Sequence, residues 1–269
     1  ADGIRRVNVI DATPIGTNIR STVATYSGVL DDLRRIFATA PAAKELGYKA
    51  GDFSYNTGSL HCPACDGTGQ ITMDIQFLPD VEIVCPYCGG SRYAKEAEKI
   101  RYLPKKADAG NGISLPQLMS CTVKQALDQM SGVKKVRERL QVLYDLGLGY
   151  LTLGEATPAL SGGEAQRLKI ASEMGKSQED AAFIFDEPTI GLHPLDTRVL
   201  IQVFQKLIDH GATVIVIEHD LDMIAAADYI IDMGPGGGKS GGQIVAAGTP
   251  KEIAENRNSL TGQYLKSLV

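Results

Sequence analysis

The chain has 269 residues, 27 of them lysine or arginine and 32 aspartate or glutamate, for a formal net charge of -5; this balance excludes a globally basic nucleic-acid binder. Hydrophobic residues make up 43%, enough for one large or two modest cores, yet no apolar run approaches the ~18 residues that span a bilayer and no charged-then-apolar leader opens the chain. Of 5 cysteines, all but one fall in two tight pairs, which argues against an extracellular disulfide scaffold and for a metal site in a cytoplasmic protein.

In chain order, Val29, Leu33, Ile36 and Phe37 share one helical face, and Pro41 starts a short second helix ending near Gly47. Cys62-Pro-Ala-Cys65 and Cys85-Pro-Tyr-Cys88 form the C-x2-C…C-x2-C arrangement of a tetrahedral Zn2+ site, in which each short knuckle brings two thiolates to one ion. Gly67, Gly69, Gly89 and Gly90 leave room for the backbone to turn toward the sulfurs. A redox dithiol is the rival reading; His61 stays outside a shell that four thiolates complete, and Cys121 reads as a small core residue. Between the pairs, Ile71, Met73, Ile75 and Phe77 alternate with polar residues, Leu78-Pro79-Asp80 turns the chain and residues 81–84 return it, which is a hairpin pattern. Periodicity favours packing of one hairpin face on the body; the alternative is that the apolar tip, Phe77 and Leu78, wedges against nucleic acid. A basic run follows, with Arg92, Lys95, Lys99, Arg101, Lys105 and Lys106. Such a run reads as a solvated face, and beside a zinc hairpin it suits a phosphate backbone.

Residues 122–130 and 134–146 read as helices; in the second, Val136, Leu140 and Leu143 are core, and Lys134, Lys135, Arg137 and Arg139 are solvated. LSGGEAQRLK at residues 160–169 is a helix start, with Ser161 and Glu164 spaced as a capping box. Gly162 and Gly163 leave the first-turn amides and the positive end of the helix dipole open to a phosphate. Residues 182–186, AFIFD, form a buried strand that delivers Asp186 to the C-terminal edge of a sheet, with Glu187 directly after it. An aspartate there suits Mg2+, and a second carboxylate suits an attacking water. A helix over residues 196–210 has Leu200, Val203, Phe204, Leu207 and Ile208 on its apolar side and Gly211 as its stop. TVIVIE at residues 213–218 is another core strand, ending in His219, whose imidazole suits a terminal phosphate. The expected fold is an α/β sheet covered by helices. GPGGGKS at residues 234–240 fails the spacing of a phosphate loop, because Met233 stands where its first glycine belongs; it reads as a glycine-rich turn before a strand.

The ordered set LSGGEAQRLK, FIFDEP, IGLHPLD (residues 190–196) and His219 resembles the ATP-binding cassette superfamily: signature, second Walker motif, dimer-facing D-loop and switch histidine. The resemblance implies that Ser161, Gly162, Gly163, Glu164, Asp186 and Asp196 serve ATP and Mg2+, with Glu187 and His219 catalytic, and that the signature closes over a nucleotide held mainly by another cassette. The phosphate loop such a cassette needs is missing, which points to the C-terminal portion of a larger protein whose isolated piece lacks ATPase activity. With FLPD in the hairpin, CPYCGGSRY closing it, and IIDMGPGGGKSGGQIVAAGTPKEIA in the tail, the likeness narrows to the UvrA family of damage-recognition ATPases in bacterial nucleotide excision repair. That family implies residues 1–55 as the start of a second cassette beyond its phosphate loop. It further implies 56–106 as an inserted zinc hairpin module, 107–158 as a helical linker, and 159–269 as the part with the signature, second Walker motif, D-loop and switch histidine. It implies as partners double-stranded damaged DNA, a UvrB-like protein and a second UvrA protomer, with DNA contacts from Phe77, Leu78, Arg92, Lys95 and Arg101. The chain departs from the family at Ala12, where a glutamine is usual, and at Thr17, where arginine is; Ala12 cannot sense metal and water as a glutamine would. The rival classes are a transporter ATPase subunit, which has no use for the zinc hairpin, and a DnaJ-like zinc chaperone module, which leaves the signature and FIFDEP unexplained.

Overall fold

Side chains written into the sequence set most of the helix starts. Thr22, Ser114, Thr122 and Thr249 each accept the backbone N–H of the third helical residue, whose own side chain returns to the cap N–H and closes a capping box. The computed structural model describes residues 3–73, 81–103, 112–174, 178–192, 194–234, 236 and 241–269, the side chains of 194–196 excepted. In chain order the elements are β1 (Arg6–Ile10), α1 (Val23–Tyr26), α2 (Val29–Phe37), α3 (Pro41–Glu45), β2 (Gln70–Met73), β3 (Val81–Val84), β4 (Arg101–Tyr102) and β5 (Ile113–Ser114). There follow α4 (Leu115–Met119), α5 (Val123–Gln129), α6 (Lys134–Leu143), α7 (Gly162–Met174), β6 (Ala181–Asp186), α8 (Pro194–Asp209), β7 (Thr213–Ile217), α9 (Leu221–Ala225), β8 (Ile230–Gly234), β9 (Gln243–Gly248), α10 (Pro250–Glu255) and α11 (Leu260–Leu265).

Residues 1–11 and 177–269 form one compact unit. Its parallel sheet runs in the order β1-β6-β7, with Phe185 opposite both Ile10 and Val216. Phe183 and Phe185 are fully buried, and the Phe185 ring stacks on Phe204 of α8 at 4.4 Å, which docks that helix on one sheet face. Leu200, Val203, Phe204 and Leu207 are buried as their spacing requires, whereas Ile208 is 37% exposed. At about 100° per residue Ile208 falls roughly 90° from the centre of that stripe, so it sits at the rim rather than in the core. β8 and β9 pair antiparallel with Gly234 opposite Gln243, so the strand expected after the glycine-rich segment is present. Residues 235 and 237–240 of that segment lie outside the described residues. Ala246, Ile253, Ala254 and Leu265 pack together beneath β9, α10 and α11.

Residues 12–176 form the other unit. Val29, Leu33 and Phe37 of α2 are fully buried, and Phe37 and Phe53 lie 6.1 Å apart by ring centroid. In α6, Val136, Leu140 and Leu143 are fully buried, in line with their periodicity, but Arg139 corrects the expectation of a uniformly solvated basic face. Its Nε donates to Asp32 Oδ2 at 2.9 Å and its Nη1 to Ser27 O at 3.0 Å. Asp32 has a side chain only 6% exposed and is reached as well by Lys135 Nζ at 2.8 Å; a buried carboxylate on α2 requires this counter-charge from α6. Cys121 is only partly buried and donates to Gln117 O at 3.4 Å, so it lies at the margin of the core.

Candidate functional site

The hairpin expected between the cysteine pairs is formed at its base, where β2 and β3 pair antiparallel with Gln70 opposite Val84 and Met73 opposite Val81. Its tip, including Phe77 and Leu78, lies outside the described residues, as do Lys105 and Lys106. Below it the ligand atoms of Cys62, Cys65, Cys85 and Cys88 all lie within 4.8 Å of one another, and no disulfide joins them. A tetrahedral ion with Zn–S of about 2.3 Å sets its sulfurs about 3.8 Å apart, and Cys65 Sγ and Cys88 Sγ are separated by 3.8 Å. The backbone is also aimed at sulfur. Gly69 N donates to Cys65 Sγ at 3.3 Å, and the nearby amides of Ala64 and Cys65 favour the thiolate of Cys62 against its burial, as those of Tyr87 and Cys88 do for Cys85. Burial pushes the Cys88 thiol up to about 12, a cost that a cation bound to the sulfurs would offset. The residues therefore fit Zn2+. His61 engages Gly58 O through Nδ1 at 2.6 Å and stands outside the cysteine group.

Arg92 corrects the expected solvated run. It is 5% exposed, donates through Nη1 to Ile19 O at 3.1 Å and Gly67 O at 3.4 Å, and holds its guanidinium 5.2 Å from the centre of the Tyr55 ring. Its backbone lies at φ 72, left-handed and costly for a residue with a side chain. Buried beneath the knuckles and facing carbonyls, it is not available to a phosphate backbone. Lys95 and Lys99 are exposed, while Arg101 is turned inward to Gly112 O at 2.9 Å and Gln117 Oε1 at 3.4 Å.

The capping box at the start of α7 is present: Glu164 N donates to Ser161 Oγ at 3.4 Å, and Ser161 N donates to Glu164 Oε2 at 2.6 Å. Gly162 and Gly163 occupy the first turn. A Cβ added to Gly162 would lie 2.9 Å from Ala12 O, so this position needs glycine for close approach as well. Sequence reasoning missed Tyr150, whose hydroxyl donates to Glu164 Oε1. Burial pushes the Glu164 carboxyl up, but the bonds from Tyr150 and Ser161 outweigh it and hold the group below its ordinary range. Lys169 Nζ donates to Thr13 Oγ1 at 2.9 Å.

In the other unit, β6 ends on exposed Asp186, and Glu187 turns the chain at φ 45 with its N–H donated to Ile217 O at 2.9 Å. This fixes the residue after β6 against the end of β7. His219 then stands beside Glu187, Nδ1 to Oε1 3.7 Å, with side chains 75% and 46% exposed. Asp186, Glu187 and His219 therefore gather at the C-terminal edge of the sheet, where the strand pattern puts them. Glu218 was read only as the last residue of a strand; its carboxylate is buried and hydrogen-bonded to Thr189, His219 and Asp220. The side chain of Asp196 is outside the described residues.

No protein-family profile matches the chain. It is 48% identical over 100% of its length to UvrABC system protein A of Bacillus subtilis (strain 168), covering 27% of that protein. To the protein of the same name from Aquifex aeolicus (strain VF5) it is 47% identical over 98% of its length, covering 28%. Among solved structures, UvrA2 from Deinococcus radiodurans matches with a TM-score of 0.85 and 40% identity, over 99% of this chain and 32% of that one. The α/β fold is thus that of the corresponding stretch of UvrA2, and the chain spans about a quarter of the length of the curated relatives it matches. Likeness of this degree along essentially the whole chain, in sequence and in fold, means that the chain belongs to the UvrA family.

Proposed function

We propose that the chain is the signature- and Walker B-bearing portion of a DNA damage-recognition ATPase of nucleotide excision repair. The observation that carries the proposal is the placing of Asp186, Glu187 and His219 together at the C-terminal edge of β6 and β7, with His219 Nδ1 3.7 Å from Glu187 Oε1. In the intact protein Asp186 would hold Mg2+, which supplies charge neutralisation on the phosphates. Glu187 orients the attacking water and takes its proton, and His219 contacts the terminal phosphate of ATP. Ser161, Gly162 and Gly163 offer the opening amides of α7 to the phosphates of a nucleotide held mainly by another cassette, with Glu164 completing the cap and Asp196 in the D-loop segment.

The four-cysteine cluster, its ligand atoms within 4.8 Å of one another, is proposed to hold Zn2+ as a structural base for the hairpin. Exposed Lys95 follows the phosphate backbone of damaged duplex DNA. Hydrolysis in a homodimer with a second UvrA protomer then changes the grip on DNA before handover to a UvrB-like protein. The direct test is Glu187→Gln in the full-length protein: turnover at this site should fall by about two orders of magnitude or more. Unchanged turnover refutes the role given to Glu187.

A further inference from the structure

Glu218 stands one residue beyond β7 with a side chain only 2% exposed. A carboxylate in that setting is costly unless its oxygens are occupied, and both are. Oε1 accepts from Thr189 N at 2.8 Å and Thr189 Oγ1 at 2.5 Å. Oε2 accepts from His219 N at 2.8 Å and Asp220 N at 3.2 Å. Burial pushes the group up, but these bonds outweigh it and hold it below the ordinary carboxylate range, so it is an anion at neutral pH.

The two sets of donors belong to different turns. Thr189 lies in the turn after Glu187, where Ile190 N returns to Glu187 O at 3.2 Å and Leu192 N to Thr189 O at 2.9 Å. His219 and Asp220 lead into α9, whose first turn is capped by Asp220 Oδ1 accepting from Met223 N at 2.9 Å. With one oxygen on each turn, neither can shift without breaking bonds to a buried anion. We propose that Glu218 is a positioning residue that ties the His219 turn to the turn running from Glu187 into the 190–196 segment. The water-orienting carboxylate, the phosphate-contacting imidazole and the root of the D-loop segment then move as one body. Its functional consequence rests on the ATPase reading given above. A shorter serine or threonine at 218 would not span both turns, and glutamine would present an NH2 group to donors on one side.

The test uses Glu218→Gln, Thr189→Val and the double variant, in the full-length protein for turnover and in this chain for spectroscopy. Glu218→Gln should lower kcat for ATP about 10-fold or more while KM moves less than about 3-fold, because the side chain is buried against the two turns rather than exposed to a ligand. Thr189→Val, which deletes the hydroxyl and keeps the N–H, should lower kcat a few-fold in the native background and scarcely at all in Glu218→Gln, the non-additivity expected of one shared clamp. By NMR, Thr189→Val should also move the ring resonances of His219, which lies on the other of the two turns tied by Glu218. A His219 signal unmoved by Thr189→Val, together with additive effects on kcat, overturns the proposal even if Glu218→Gln proves poorly folded. If Glu187→Gln leaves turnover intact, the ATPase reading fails, and the His219 shift still decides the coupling.

Discussion

Arg139→Met separates two views of α6, one in which its basic residues are all solvated and one in which Arg139 closes a buried ion cluster. Methionine keeps most of the stem but deletes the bonds to Asp32 Oδ2 at 2.9 Å and Ser27 O at 3.0 Å. Removing one partner of a buried pair costs about 3–5 kcal/mol. Two features reduce that figure here: Lys135 Nζ and Arg35 Nη1 remain 2.8 and 3.5 Å from Asp32 Oδ1, and the Arg139 side chain is itself 28% exposed. The expected loss is about 2 kcal/mol after discounting for solvent screening and the surviving cations. In a urea titration followed by circular dichroism this lowers the midpoint at unchanged slope. Arg137→Met, at an exposed position of the same helix, should change stability by less than about 0.5 kcal/mol. Equal midpoints for the two variants would refute the assignment of Arg139 as the counter-charge of Asp32.

Three further outcomes are expected. Protein purified without chelator should carry about one equivalent of zinc per chain and lose thermal stability when it is stripped, and elemental analysis giving less than about half an equivalent counts against the cysteine site. Glu164 and Glu218 both have carboxyls held below their ordinary range; groups of this sign contribute stability that is present above an unfolded value of about 4.3 and is lost as pH falls through the folded one. Resistance to urea should thus decline below about pH 5 and Glu218→Gln should flatten the decline, so superimposable pH profiles would sink the assignment. The isolated chain should show negligible ATPase activity, because no G-x-x-x-x-G-K-[ST] loop is present in its sequence; robust turnover by pure chain refutes this.

What could be read from the sequence was whatever depends on near neighbours along the chain. The α7 cap needs only Ser161 and Glu164, and the two C-x-x-C knuckles place their sulfurs by spacing along the chain, with Gly69 N donating to Cys65 Sγ four residues away. The strand ending at Asp186 is announced by its own apolar run. Buried charge behaves differently, because its partner is chosen by the fold: Arg139 meets Asp32 across 107 positions, and Arg92 meets Ile19 O across 73. On a sequence both look like members of solvated basic runs, since nothing local distinguishes a cation with a distant buried acceptor from one in water. Glu218 fails for the same reason, its partner Thr189 lying 29 positions away. Gly162 shows the converse. Phosphate access accounts for a glycine there without any structure, yet the 2.9 Å approach to Ala12 O requires one too. Activity lost in Gly162→Ala would therefore not by itself argue for a phosphate, and only a variant that changes the amides' charge environment while sparing that contact, such as Glu164→Gln, separates the two causes.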